Sequence, residues 1–221
     1  MSSLSHSWDM SVQDARRLQM KLAGHVIREN RLGVINTVAG IDVGIKDDMA
    51  YAAVVVLNFP KLDVAAQSTA TRHIAFPYIP GLLSFREGPV ILDALDRLDR
   101  KPDLLIFDGQ GIAHPNRLGI ASHIGLLSDF PSIGCAKSRL CGQYQEPEVE
   151  RGSHVPLMDH GETIGAVVRT RSGVKPVFVS VGHRVDLKTC IDVVLACCKG
   201  YRLPETTGKA HRLAEECKNF H

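Results

Sequence analysis

Two rhythms of apolar and polar positions run along this chain. Residues 10–30 set apolar side chains at helical spacing among charges, which predicts an amphipathic helix. The period then shortens. Val34 to Val43 reads as a strand carrying Asp42, Met49 to Leu57 as a second, and about Leu62 to Phe76 as a third. Lys46-Asp47-Asp48 forms the first turn. Connections this short predict an antiparallel meander.

The helical rhythm returns with Ile91, Leu92, Leu95 and Leu98, separated by Asp93, Asp96 and Arg97. Pro89 suits a first helical turn, where no N–H is needed, so Glu87 is expected just before that helix. Leu104 to Phe107 reads as a short buried strand ending at Asp108, parallel to an earlier one because a helix precedes it. Arg117 to Leu127 is a further helix, and Ser132 to Ala136 and Pro176 to Val181 are further strands. Leu187 to Lys199 is helical, and a last helix is expected from Glu205. Gln143 to His154 is polar and reads as a loop. Three strands followed by alternating helices and strands predict an α/β fold, a mixed sheet with helices on both faces.

Composition narrows the class. The 221 residues are 44% hydrophobic and 23% charged, with no repeat or low-complexity linker, so a single domain spanning 1–221 is expected. No apolar run approaches the roughly 18 to 20 residues of a membrane span, and the first ten residues do not resemble a secretory signal. A soluble cytoplasmic protein is expected. Lys plus Arg is 26 against 24 Asp plus Glu, a balance that neither demands nor forbids a nucleic-acid partner. None of the six cysteines forms a CxxC pair, so reduced, mostly buried thiols are expected in preference to a zinc site.

Candidate chemistry gathers at strand ends. Asp42 stands in an otherwise apolar strand, and Asp108 ends another before Gly109-Gln110-Gly111. Carboxylates so placed are costly to bury unless paired or bound to a cation. With Glu87 they make three hard oxygen donors, a set suited to Mg²⁺ or Mn²⁺. Metal-assisted phosphodiester hydrolysis is the chemistry such a set suggests. Separate roles as turn cap, loop cap and helix-dipole partner stand beside that reading. The glycines at 109 and 111 lack the third glycine of a dinucleotide loop, since position 114 is His. In Pro77-Tyr78-Ile79-Pro80-Gly81 two prolines stiffen a segment around a tyrosine. It reads either as a rigid connection or as an apolar wedge able to enter a base stack. Lys137, at another strand end, could meet a phosphate. His114, His123, His183 and His211 are candidates for proton transfer.

Taken together these segments resemble the endonuclease V family. The resemblance is carried by AGIDVG at 39–44, PYIPGLLSFRE at 77–87, PDLLIFDGQGIAHP at 102–115, LGIASH at 118–123, GCAK at 134–137 and GHRV at 182–185. It runs from about residue 10 to 212. It implies a ribonuclease H-like fold and a Mg²⁺-dependent deoxyinosine 3′ endonuclease of DNA repair, with Mn²⁺ as a substitute. It implies that Asp42 and Asp108 bind the metal, with Glu87 completing the acidic site. Lys137 would lie near the scissile phosphate and His211 near the metal. Tyr78 would be the wedge, with Pro77, Ile79, Pro80 and His114 also at the DNA. Gly81 and Leu83, with Gly109, Gly111, Gly119 and Gly134, would form the region of the base pocket.

By the same resemblance, the second phosphodiester bond 3′ to deoxyinosine would be cut, leaving a 3′-hydroxyl and a 5′-phosphate. The partner would be damaged DNA, with single-stranded nucleic acid or inosine-containing RNA as the alternative, and the protein a monomer. One departure is local. The chain has Thr206 and Gly208 where the family has a second proline and an arginine, which bears on His211. A non-catalytic lesion binder is the remaining rival, and the presence of all three acids argues against it.

Overall fold

The computed structural model describes residues 4–220; residues 1–3 and 221, the ends of the expected 1–221 domain, lie outside it. Helix α1 (Val12–Ala23) starts at Ser11, whose hydroxyl accepts from the Asp14 N–H. The meander follows as β1 (Thr37–Lys46), β2 (Met49–Asn58) and β3 (Val64–His73). Asp47 and Asp48 turn between the first two with φ of 48° and 61°, a conformation that Asp tolerates better than most residues. Alternating elements come next: α2 (Leu83–Asp96), β4 (Leu104–Phe107), α3 (Ile120–Ser128) and β5 (Ser132–Ala136). The chain ends with β6 (His154–Asp159), β7 (Glu162–Val168), β8 (Val177–His183), α4 (Leu187–Cys197) and α5 (Glu205–Phe220).

All eight strands join one sheet in the order β3-β2-β1-β4-β5-β8-β7-β6. β1, β4 and β5 are parallel and the other pairings antiparallel. Both faces are covered. Val90, Ile91 and Ala94 of α2 and Ile124 of α3 pack on Ile41, Val54 and Phe107. Val194 of α4 and Ala210 of α5 pack on Leu104, Ile106 and Val179 across the sheet. Each fully buried large apolar side chain of this kind is worth roughly 1.5–3 kcal/mol relative to exposure. The expected mixed α/β sheet with helices on both faces, a ribonuclease H-like fold, is what the chain forms. No helix among the described residues is long and apolar enough to cross a membrane.

Two local departures from expectation matter for the site. Helix α2 begins at Leu83, so Glu87 sits inside it and not before it, and Pro89 is internal. The β6–β7 hairpin lies within a stretch that had suggested no strands. It turns at His160 and Gly161, both at positive φ (50° and 80°). Pro156 reads against a central strand, yet β6 is an edge strand, where a missing N–H is tolerated.

A Cβ at position 40 would fall 2.0 Å from the backbone oxygen of Thr206. Gly40 therefore lets the first turn of α5 lie directly on β1. Gly40, Asp42 and Gly44 alternate onto one face of the strand, so Asp42 emerges beneath α5 between two residues without side chains.

Candidate active site

The β1–β4 register ends at Ile41 opposite Phe107. The next residues are Asp42 and Asp108, so two carboxylates leave neighbouring parallel strands at the same level. Asp42 is mid-strand, because β1 continues past the end of β4. Their side chains are only 18% and 15% exposed, so their charge needs local compensation. His211 Nδ1, from α5, donates to Asp42 Oδ2 at 2.8 Å. The Lys137 ammonium, just beyond β5, is ion-paired with Asp108 Oδ2. The structure thus brings together four residues that lie far apart along the chain.

Glu87 completes the acidic group from α2. Burial first, then the charges of Asp42 and Asp108, push its pKa up to about 8, against a smaller opposing pull from Arg86. Arg86 is held in turn, its Nη1 donating to the Phe76 carbonyl at 2.9 Å.

Among the described residues, no three His, Cys, Asp or Glu side chains converge as a ready-made metal shell. Asp42 is turned to His211 and Asp108 to Lys137. The chemistry of the donor set nevertheless fits a hard divalent cation. Three carboxyls share one edge of the sheet, close enough for the charges of two to disfavour ionisation of the third. Asp42, Asp108 and Glu87 are the residues that could hold such an ion.

Beside Asp108 opens a cavity of about 380 Å³. Tyr78, Ile79, Pro80 and Gly81 form one wall, with Leu83 and Ser84 at the start of α2. Gly109, Gln110, His114, Leu118, Gly119 and Ile120 form the floor, and Ala136 to Leu140 the far wall, so that Asp108 and Lys137 are both part of the lining. Tyr78 is 68% exposed at the rim, and Pro77 is exposed outside it. Ser138, Arg139 and Leu140 did not stand out in the sequence, and Leu118 did so only as the first residue of LGIASH. Their signal was adjacency to Lys137 and to the glycine-rich turn.

Gly111 and Gly134 do not line this cavity. A Cβ on Gly111 would meet the Val181 carbonyl at 2.0 Å, and one on Gly134 the Gly111 nitrogen at 2.3 Å. They let backbones pack beneath the floor. The histidines divide similarly. His123 and His183 are fully shielded, and burial lowers their pKa to about 3 and 4. His114 Nδ1 accepts the Asn116 N–H at 3.1 Å, which leaves Nε2 to donate to the Gly81 carbonyl at 3.0 Å. Desolvation lowers its pKa to about 4, so it is a neutral support at physiological pH. Gln19 of α1, silent in the sequence, joins this network. It donates to Gly81 O and Leu118 O at 2.8 and 2.9 Å and accepts from Asn116.

The comparisons with known proteins point one way. The endonuclease V family model matches residues 20–212. Endonuclease V of Roseiflexus sp. (strain RS-1) is 54% identical over 212 residues, covering 96% of both chains. The crystal structure of endonuclease V from Streptomyces avermitilis superposes with a TM-score of 0.92 at 44% identity, covering 98% of this chain and 96% of that one. Endonuclease V of Ciona intestinalis, solved in complex with a 24mer DNA containing an inosine followed by a ribo-adenosine, superposes with a TM-score of 0.82 at 26% identity, covering 95% and 99%. By its fold, by these matches along nearly its whole length and by the acidic edge described above, this chain belongs to the endonuclease V family.

Proposed function

We propose that this protein is a divalent-cation-dependent endonuclease that recognises deoxyinosine in DNA and hydrolyses the second phosphodiester bond on its 3′ side, in the service of DNA repair. One observation carries the reading: a cavity large enough for a base opens directly beside the Asp108–Lys137 pair. A base displaced from its stack and held there would leave its backbone running past the carboxylates. Deoxyinosine pairs weakly, so its extrusion is less costly than that of a normal base.

Within this reading Asp42, Asp108 and Glu87 would hold Mg²⁺, with Mn²⁺ able to substitute. The ion would lower the pKa of an attacking water and neutralise charge on the scissile phosphate. Lys137, beside Asp108, would meet a phosphate oxygen as a point charge. His211 keeps a hydrogen-bonding group at the outer side of Asp42. Tyr78 fills the space that the displaced base leaves, held stiff by Pro77 and Pro80. Cleavage leaves a 3′-hydroxyl and a 5′-phosphate.

An inosine-specific endoribonuclease is the second reading. The Ciona relative's DNA places a ribonucleotide directly after the inosine, which favours keeping it. One experiment addresses both. Purified protein with Mg²⁺ is given end-labelled DNA and RNA, each carrying a single inosine, in competition. A nick one nucleotide beyond the deoxyinosine is expected, lost on chelation and in Asp42→Asn or Asp108→Asn. Intact DNA beside cut RNA would establish the second reading instead.

A further inference from the structure

We infer that Arg202 is a positioning residue that sets Lys137 against Asp108 and ties it to the root of α5. The inference rests on the catalytic reading above and names a residue that reading does not use. Arg202 lies in the connection between α4 and α5. Its Nη2 donates to the Lys137 carbonyl at 2.6 Å and to the Pro176 carbonyl at 2.9 Å, while Nε donates to the Lys175 carbonyl at 2.9 Å. One planar guanidinium thus grips three carbonyls where β5 ends and β8 begins. Its own carbonyl accepts the Thr170 hydroxyl at 2.6 Å, which anchors it beyond the end of β7.

Two residues further on, Pro204 opens α5, accepting the Gly208 N–H at 3.0 Å and the Thr207 hydroxyl at 3.1 Å. That helix delivers His211 to Asp42. The side-chain partners of both aspartates are therefore fixed relative to one another through Arg202. Lys137 is half-exposed, and its side chain alone cannot hold a geometry. Its backbone must be held for it. A lysine in place of Arg202 would keep the charge and lose the fork that reaches several acceptors at once.

A staple that served only the fold would lower stability while leaving the chemistry of folded molecules unchanged. The test separates the two. Arg202→Gln, Lys137→Ala and the double variant are compared with the parent for melting temperature, for affinity to an inosine duplex with Ca²⁺ in place of Mg²⁺, and for single-turnover cleavage. For Arg202→Gln we expect a fall of tenfold or more in cleavage, affinity within twofold, and a double variant no slower than Lys137→Ala. A smaller fall, or a further full loss on top of Lys137→Ala, overturns the inference. Where Arg202→Gln does not fold, Arg202→Lys takes its place in the same comparisons.

A second readout needs no substrate. Acylation of Lys137 by an N-hydroxysuccinimide ester is followed by peptide mass spectrometry, relative to exposed Lys61. Loosening Lys137 from Asp108 should speed its labelling severalfold in the variant, and equal labelling overturns the inference. If the parent cuts no inosine strand, the functional reading fails by itself and this labelling alone decides the role of Arg202.

Discussion

The imidazole of His114 and the carbonyl of Gly81 are joined by a 3.0 Å hydrogen bond, and the same carbonyl takes a second from Gln19 at 2.8 Å. Gly81 sits at φ 82°, where the segment carrying Tyr78 turns into α2. His114 and Gln19 therefore brace the cavity wall from below and have no need to exchange protons. Replacing Gln19 by Leu leaves the buried Leu118 carbonyl without its partner. Leaving one such group unsatisfied costs about 1–3 kcal/mol. Gln19→Leu should lower the urea unfolding free energy by that amount, and an unchanged midpoint would remove the brace.

Tyr78 presents the opposite case. It is largely exposed, and its removal should hardly affect folding. If it enters the stack beside a displaced base, Tyr78→Ala should weaken binding of an inosine duplex by about 1–3 kcal/mol, roughly fivefold to 150-fold. Fluorescence anisotropy with the Ala and Phe variants checks this. Phe should bind nearly as well as Tyr, and equal binding by all three would exclude the wedge.

The two glycines at positions 40 and 208 predict effects of opposite sign. Gly40→Ala drives a methyl into the backbone of α5 at Thr206. Overpacking of that kind costs typically about 1–3 kcal/mol, and here it would also lift His211 from Asp42. At Gly208 a Cβ meets nothing within 4 Å. Gly208→Ala should stabilise the helix by roughly 0.5–1 kcal/mol. Thermal melts of the two variants should move in opposite directions, and cleavage should be lost only in the first.

Much of this was legible along the chain, and the exceptions have physical causes. The meander, the parallel β4 and the convergence of Asp42 with Asp108 follow from patterns of period two and from apolar strands that end in an acid. The start of α2 did not follow, because Leu82 offers no side-chain cap and Pro89 imitates a first turn. The β6–β7 hairpin was hidden by Pro156 in an edge strand. Gln19 and Arg202 act on backbone carbonyls, and no sequence pattern shows which carbonyls a side chain will reach. The family resemblance put Gly111 and Gly134 in the region of the base pocket, and the structure places them beneath its floor, where each lets another backbone come close.

Acid should unfold this protein partly through its buried imidazoles. His123 has a folded pKa of about 3, and His114 and His183 of about 4, all lowered chiefly by desolvation. In the unfolded chain such groups titrate near 6.5. Their contribution is thus complete above about pH 6.5 and is lost as pH falls towards 4, because only the unfolded chain takes up the protons. Each adds up to about 1.4 kcal/mol per pH unit in that window. His123→Phe should flatten the stability curve between pH 6 and 4.5 by the equivalent of one proton, measured by urea titrations against the parent. Parallel curves would contradict the assignment.

Glu87 gives the matching prediction on the alkaline side. Without a cation its carboxyl holds a proton up to about pH 8, kept there by burial and by Asp42 and Asp108. A divalent ion that uses Glu87 must displace that proton. Binding should therefore tighten by up to about tenfold per pH unit from 6.5 to 8 and level off above, as for any ligand that competes with one proton. Calorimetry at pH 7 in two buffers of different ionisation enthalpy should reveal close to one proton released per ion bound. Glu87→Gln has no proton to lose, so its affinity should be weaker and its pH dependence flatter. If the parent released no proton, or if Glu87→Gln kept the parental slope, Glu87 would stand outside the metal site, and the ion would rest on Asp42 and Asp108 alone.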